Sequence, residues 1–180
     1  MKMEVDQPNN GTGRKVTIGG KDVVEAQTFL PPIFNYIIMS KFSCYTDGAC
    51  SLARNKGGIG IVIVKDGKKV YEFKKSFTNT TNNKCELMAV IYALNAISKP
   101  IEQMIIYSDS QYVIGCATKG WKRKKNVEYW ALYDKVLEKA KKLCSDIQFI
   151  WVKGHETSSD FNSQMNNLAD RLAVEASNEI

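Results

Sequence analysis

The sequence predicts an α/β domain built on a mixed sheet. Three strand-like segments come first, the second and third joined by a hairpin signal; helical and strand-like segments then alternate to the end. At 180 residues, 44% hydrophobic and 24% charged, the chain can form one domain with a real core and has an ordinary soluble composition.

The elements follow in order from Lys41. Phe42-Ser43-Cys44-Tyr45-Thr46 alternates as a half-buried strand does. Gly57-Gly58 leads into Ile59 to Val64, a β-branched second strand. Asp66-Gly67 reads as a tight hairpin turn, and Lys69 to Phe77 returns as the third strand, with Val70, Tyr71 and Phe73. Lys84 to Ile97 predicts a helix with Leu87, Val90, Ile91, Leu94 and Ile97 on one face, and Pro100 beyond its end is a stop signal. Met104 to Tyr107 reads as a short buried strand. Asp109 to Ala117 reads as a helix that Asp109 or Ser110 caps. Val127 to Leu143 is a long amphipathic helix, Ile147 to Val152 the fifth strand, and Asn166 to Ser177 the closing helix.

Residues 1–40 differ from the rest. Pro8, Asn9, Asn10, Gly11, Gly13, Gly19, Gly20, Pro31 and Pro32 punctuate any regular element. Val16-Thr17-Ile18 and Val23-Val24 have the character of short strands, and the apolar Pro31 to Met39 is suited to packing on the domain. The segment reads as a flexible or loosely packed appendage to a domain over 41–180, and Met39 itself looks like a natural start. A net charge of +6 suits a polyanionic partner, or solubility alone. Five cysteines without C-x-x-C spacing suggest neither zinc nor disulfides, and most should be small buried side chains in a reducing compartment. No apolar run is long enough to span a bilayer and the N-terminus lacks a signal-peptide pattern, so a cytoplasmic protein with no membrane role is expected.

Four carboxylates and the single histidine stand in short distinctive contexts. Asp47 lies in Tyr45-Thr46-Asp47-Gly48-Ala49-Cys50, and Glu86 in Thr81-Asn82-Asn83-Lys84-Cys85-Glu86-Leu87-Met88. Asp109 lies in Tyr107-Ser108-Asp109-Ser110-Gln111-Tyr112, and Asp170 in Asn167-Leu168-Ala169-Asp170-Arg171. His155 closes Trp151-Val152-Lys153-Gly154-His155. Asp47 is placed at the end of the first strand and Asp109 just after the fourth, where ligands gather in open α/β sheets. Adjacent strands lie about 4.8 Å apart, so both aspartates can share one metal. Glu86, in the first turn of its helix, and Asp170 can point into the same crevice. Any one aspartate alone would more often be a cap or a solvated turn residue, but carboxylates beside apolar helix faces need partners.

In this order, these segments resemble type 1 ribonuclease H over about Lys41 to Ser177. The resemblance implies a five-stranded mixed sheet with only the second strand antiparallel and helices on both faces. It implies hydrolysis of the RNA strand of an RNA–DNA hybrid to 5′-phosphate and 3′-hydroxyl products. Asp47, Glu86, Asp109 and Asp170 are then the catalytic, metal-binding set, holding two Mg²⁺ with Mn²⁺ as a substitute, and His155 assists proton transfer or product release. No organic cofactor is implied, and a monomer is expected.

The same resemblance assigns substrate contacts. Thr81 would meet a DNA phosphate, Asn82 and Asn83 the minor groove near the cut, and Gln111 and Tyr112 the hybrid surface. Asn126 would meet a further phosphate. Helix capping by Thr81 or Asn82, and core packing by Tyr112, are the plainer alternatives. The chain departs from the family in four places. The asparagine usual after the first aspartate is missing, with Asn55 nearby. The basic handle is cut to Thr118–Lys125, in which Lys122, Arg123, Lys124 and Lys125 are read as phosphate contacts or a solvated loop. The stretch from His155 to Asp170 is longer than usual, predicting a more mobile loop. The N-terminal hybrid-binding module of eukaryotic members has no counterpart in residues 1–40. Two other readings remain: a catalytically weak binding module of the same fold, and another nuclease such as a junction resolvase. Four carboxylates disfavour the first, and the Thr81-Asn82-Asn83 and Val152-Lys153-Gly154-His155 motifs the second.

Overall fold

The computed structural model describes residues 15–18, 21–24, 40–155 and 158–179. The chain separates into two compact units, Met1–Asn35 and Tyr36–Ile180. In the first, β1 (Lys15–Ile18) and β2 (Lys21–Val24) pair antiparallel, where the two short strand signals lie. The apolar stretch expected to pack on the domain, Pro31 to Met39, falls outside the described residues.

The second unit holds a five-stranded sheet of β3 (Lys41–Ser51), β4 (Lys56–Lys65), β5 (Lys68–Thr78), β6 (Ile101–Ser108) and β7 (Cys144–Trp151), in the order β5-β4-β3-β6-β7. Only β4 runs against the rest, as expected. Asp66 and Gly67 both take positive φ, +50° and +75°, which the right-handed twist of a two-residue hairpin demands. The helices are α1 (Asn82–Asn95), α2 (Gln111–Thr118), α3 (Val127–Lys141) and α4 (Phe161–Asn178).

The pleat decides which helix each strand residue meets. On one face, Cys44, Ile59, Ile61 and Ile106 join Leu87, Val90, Ile91, Leu94 and Ile97 of the α1 segment, with Val113, Trp130 and Tyr133, in the main core. On the other, Tyr45, Val62 and Val64 meet Leu168, Ala169 and Leu172 of α4. Four of the five cysteines, Cys44, Cys85, Cys116 and Cys144, are buried, as expected for most of them, and all five are free thiols.

Several boundaries move. The first strand continues past Thr46 to Ser51, because β4 pairs with it along its whole length. The third strand is an edge strand whose Val70 and Tyr71 are exposed; only Phe73 and Phe77 reach inward, against Tyr92. The closing helix begins at Phe161, not Asn166. Asp160 caps it by accepting from the Ser163 N–H at 3.0 Å, with hydroxyls of Ser158 and Ser163 also donating, which holds its carboxyl down at about 2. The residues that looked like a long loop after His155 are thus largely first turns of α4.

Candidate active site

The parallel β3–β6 ladder ends at the pair Thr46–Ser108. Asp47 and Asp109 are the next residues on each chain, so two carboxylates emerge side by side where that ladder stops. Asp47 does not end its strand, as the sequence suggested. It sits inside β3, still paired on the other side with Gly60 of β4. That pairing matters. A Cβ on Gly60 would lie 1.9 Å from the Ala169 carbonyl oxygen of α4, so the glycine lets α4 lie directly on the sheet. Asp170, one residue further, is thereby brought to the Asp47 side of the sheet.

The α1 side is built by the same device. A Cβ on Gly48 would stand 2.2 Å from the Glu86 backbone nitrogen. The strand and helix touch at that point and Glu86 is set beside the aspartates. The helix begins at Asn82, so Glu86 lies one turn in rather than in the first turn. Its carboxylate accepts from Asn82 Nδ2 at 2.8 Å and from Ser110 Oγ at 2.5 Å, while Ser110 Oγ also accepts from the Val113 N–H and so caps α2.

The result is an open cleft of about 320 Å³ lined by Asp47, Gly48, Ala49, Cys50, Asn82, Glu86, Asp109, His155 and Asp170. Asp47 is only 7% exposed. Burial, then the negative charge of Asp109, push its pKa up to about 8, against the pull of the Gly48 N–H at 2.7 Å. Burial also raises Glu86 and Asp109. His155 stands at the rim, 77% exposed, with Nδ1 3.6 Å from Asp170 Oδ2 and its backbone in the left-handed region at φ +52°.

The cleft carries a surplus of carboxylate oxygen, with His155 the one basic side chain in its lining. Among the described residues, no three His, Cys, Asp or Glu side chains form a ready metal cage. Mg²⁺ does not need one: it keeps several waters and binds through one or two carboxylates together with substrate phosphate. The donor set fits such an ion in kind.

The remaining sequence candidates divide. Thr81, Asn82 and Asn83 are exposed at the start of α1, and of the three Asn82 lines the cleft. Thr81 occupies the N-cap position but its side chain makes no capping bond, so capping does not account for it. Tyr112 bridges Trp130 Nε1, at 2.9 Å, and the Lys125 carbonyl, at 3.1 Å, a packing role. Gln111 is exposed on a neighbouring groove. Arg123 is turned inward: its guanidinium bonds both Asp134 oxygens at 2.8 Å and lies 4.2 Å over the Trp130 ring. Lys122, Lys124 and Lys125 are exposed. Asn126 starts α3 in the left-handed conformation, φ +55°, without a side-chain capping bond. Asn55 gives its amide to Asn79 and does not line the cleft. Two residues escaped sequence reasoning. One is Ser110 as a ligand of Glu86. The other is Asn166, 1% exposed and one helical turn before Asp170. It lies close enough to Asp109 to favour its ionised form, yet neither amide atom completes a hydrogen bond of standard geometry among the described residues. Its spacing of four from Asp170 was the available signal.

The RNase H family profile matches residues 39–178. The chain belongs to the RNase H family. It is 35% identical to the ribonuclease H of Trichodesmium erythraeum over 154 residues, covering 78% of this chain and 91% of that one. It is 36% identical to the ribonuclease H of Clostridium botulinum over 157 residues, 78% and 98% of the two chains. Among solved structures, RNase H1 of Halobacterium salinarum superposes with a TM-score of 0.60 at 25% identity, over 76% of this chain and 96% of that one. LC11-RNase H1, solved with an RNA/DNA hybrid, shares the fold with a TM-score of 0.63 at 22% identity, over 76% and 96%. The protein is therefore an enzyme, an endoribonuclease of the ribonuclease H type. No helix among the described residues is long and apolar enough to cross a membrane.

Proposed function

We propose that this ribonuclease H hydrolyses the RNA strand of RNA–DNA hybrids, using divalent metal held by Asp47, Glu86, Asp109 and Asp170. The observation that carries the reading is the meeting of these four carboxylates, drawn from β3, α1, the end of β6 and α4, around one open cleft. When bound, two Mg²⁺ or Mn²⁺ ions supply Lewis-acid stabilisation of the charge that builds on the phosphodiester. The attacking water forms a bond to phosphorus and loses a proton; the bond from phosphorus to the 3′ oxygen breaks and that oxygen takes one up. The products are a 5′-phosphate and a 3′-hydroxyl. His155, at the rim beside Asp170, is placed to carry one of those protons. Ser110 and Asn82 fix the Glu86 carboxylate, and Thr81 and Asn83, exposed at the same end of α1, are the proposed contacts to the hybrid. Five free thiols accord with action in a reducing compartment such as the cytoplasm, and a monomer is the state we expect there.

The direct test is cleavage of labelled hybrid, double-stranded RNA and double-stranded DNA with Mg²⁺, Mn²⁺ or chelator. Cutting confined to the RNA of the hybrid, and abolished by chelator, is expected; equal cutting of double-stranded RNA would overturn the assignment. His155→Ala should slow turnover by about 100-fold or less, because acid–base groups contribute roughly 10²–10⁴-fold and this one is exposed on a loop. Single-turnover rates check this. Total loss, or no change at any pH, would remove His155 from proton transfer.

Lys122, Lys124 and Lys125 form the exposed basic loop before α3, with Arg123 committed to Asp134. Neutralising the three lysines should flatten the salt dependence of hybrid binding by up to about 0.9 per lysine in the log–log slope. An unchanged slope would leave the loop merely solvated. We also place the catalytic domain at residues 41–180, with residues 1–40 an appendage without a hybrid-binding module. A chain beginning at Met39 should fold and cut hybrid; an insoluble or inactive fragment would show that the preceding residues complete the core.

A further inference from the structure

A second groove, of about 260 Å³, opens beside the carboxylate cleft and is lined by Gln111, Ile114, Lys119, Trp121 and Trp151. Two of the three tryptophans in the chain line it, at 48% and 43% exposure, whereas Trp130 is buried at 2%. Neither exposed indole is left loose. Trp121 lies flat on Gly115 of α2: a Cβ there would meet the indole Cε3 at 2.3 Å and Cδ2 at 2.4 Å. The Trp121 N–H donates to the Gly115 carbonyl at 3.2 Å, and Gly120, at φ +67°, makes the turn that folds the indole back. Trp151 is fixed by its Nε1–H, which donates to the Asp109 carbonyl at 3.0 Å. Large apolar rings held rigidly yet half open to water lose little conformational entropy on binding, and Lys119 gives the groove a cation with no carboxylate in its lining.

We propose that this groove is a stacking subsite for unpaired nucleotides of the strand being cut. Aromatic faces bind bases only where the bases are not stacked within a duplex, and a lysine beside them takes the phosphate. The choice of strand follows from continuity. Trp151 bonds the backbone carbonyl of Asp109, and Gln111 lies two residues beyond it, so the groove is walled by residues tied directly to one of the four carboxylate positions. A strand that reaches both is the one whose phosphate lies among the carboxylates. The inference rests on the hybrid-cutting function proposed above: its occupant is a single-stranded RNA arm where the hybrid ends.

The test compares a blunt RNA–DNA hybrid with hybrids carrying a short single-stranded RNA arm at the 5′ or the 3′ end, and with the same arms in DNA. Affinity is measured with an inactivating Ca²⁺ buffer, alongside quenching of tryptophan emission. One RNA arm should tighten binding about tenfold and quench emission, since base–aromatic stacking is worth roughly 1–3 kcal/mol per base. Trp121→Ala should abolish that gain and leave blunt-hybrid affinity and cleavage unchanged. Lys119→Glu, on the exposed surface, should reduce the gain independently if the tryptophan variant folds poorly. No gain from either arm, or a gain that survives both variants, would overturn the subsite even while blunt hybrid is cut normally. A gain from DNA arms alone would overturn the choice of strand. Failure to cut any hybrid would instead count against the function itself.

Discussion

Asp47→Asn is expected to abolish cleavage and, in chelator, to raise the melting temperature at pH 8. Asp47 is buried, with Asp109, Asp170 and Glu86 all raising its pKa, to about 8 against an ordinary 3.8. The sign follows from proton linkage. Between pH 4 and 8 the folded protein holds a proton that the unfolded chain has released, so stability falls as pH rises across that window. An asparagine keeps the oxygen that accepts from the Gly48 N–H and carries no charge, so it escapes this loss. The difference at pH 8 should be on the order of a few kcal/mol, since each tenfold change in proton affinity is worth about 1.4 kcal/mol. It should vanish near pH 4. Adding Mg²⁺ should narrow the gap by stabilising the wild type, because a ligand bound only to the folded state adds stability by mass action. Thermal melts in chelator and Mg²⁺ across pH 4–8, with a hybrid cleavage assay, check both halves. Near wild-type turnover in the variant would remove Asp47 from the catalytic set. A variant melting no higher than wild type at pH 8 would show that the buried carboxylate is not repelled.

The carboxylates and the helix α1 were legible for different reasons. The α1 core face repeats every three to four residues, and all five of its predicted apolar positions are buried. The carboxylates stood out because each sits in a short distinctive segment, and the segments in their order resemble one family. Contacts that depend on tertiary approach left no such trace. Arg123 looks like part of a basic run, yet its partners Trp130 and Asp134 lie one and two helical turns into α3, and only folding brings the loop over them. Ser110 reads as a simple cap and is one, but the same oxygen donates to Glu86 from 24 residues away. The start of α4 was missed because Phe161, Asn162 and Gln164 are exposed in its first turn and carry no apolar periodicity. Only Asp160, as a cap, marks it.

Gly60→Ala is expected to damage stability and activity together, and it separates scaffold from chemistry. Gly60 has no positive φ, so alanine meets no backbone strain there; the effect is contact alone. The new methyl would meet the Ala169 carbonyl oxygen at 1.9 Å and the Ala173 nitrogen at 2.7 Å, both backbone atoms of α4. Neither can turn aside as a side-chain tip can. The helix must therefore lift, and overpacking of this kind typically costs about 1–3 kcal/mol or more. Asp170 follows Ala169 and moves with it, away from Asp47, which is paired with Gly60 across the ladder. A displacement of about 1 Å in a catalytic group is worth roughly 100-fold in rate. The expected result is a melting temperature lower by several degrees and turnover reduced about 100-fold in what remains folded. Gly67→Asn is the matched control: it also replaces a glycine, at a hairpin tip with open space around it, and should leave turnover unchanged. Wild-type turnover in Gly60→Ala would show that α4 yields without moving Asp170, and that the pairing of Asp47 with a glycine plays no part in assembling the cleft.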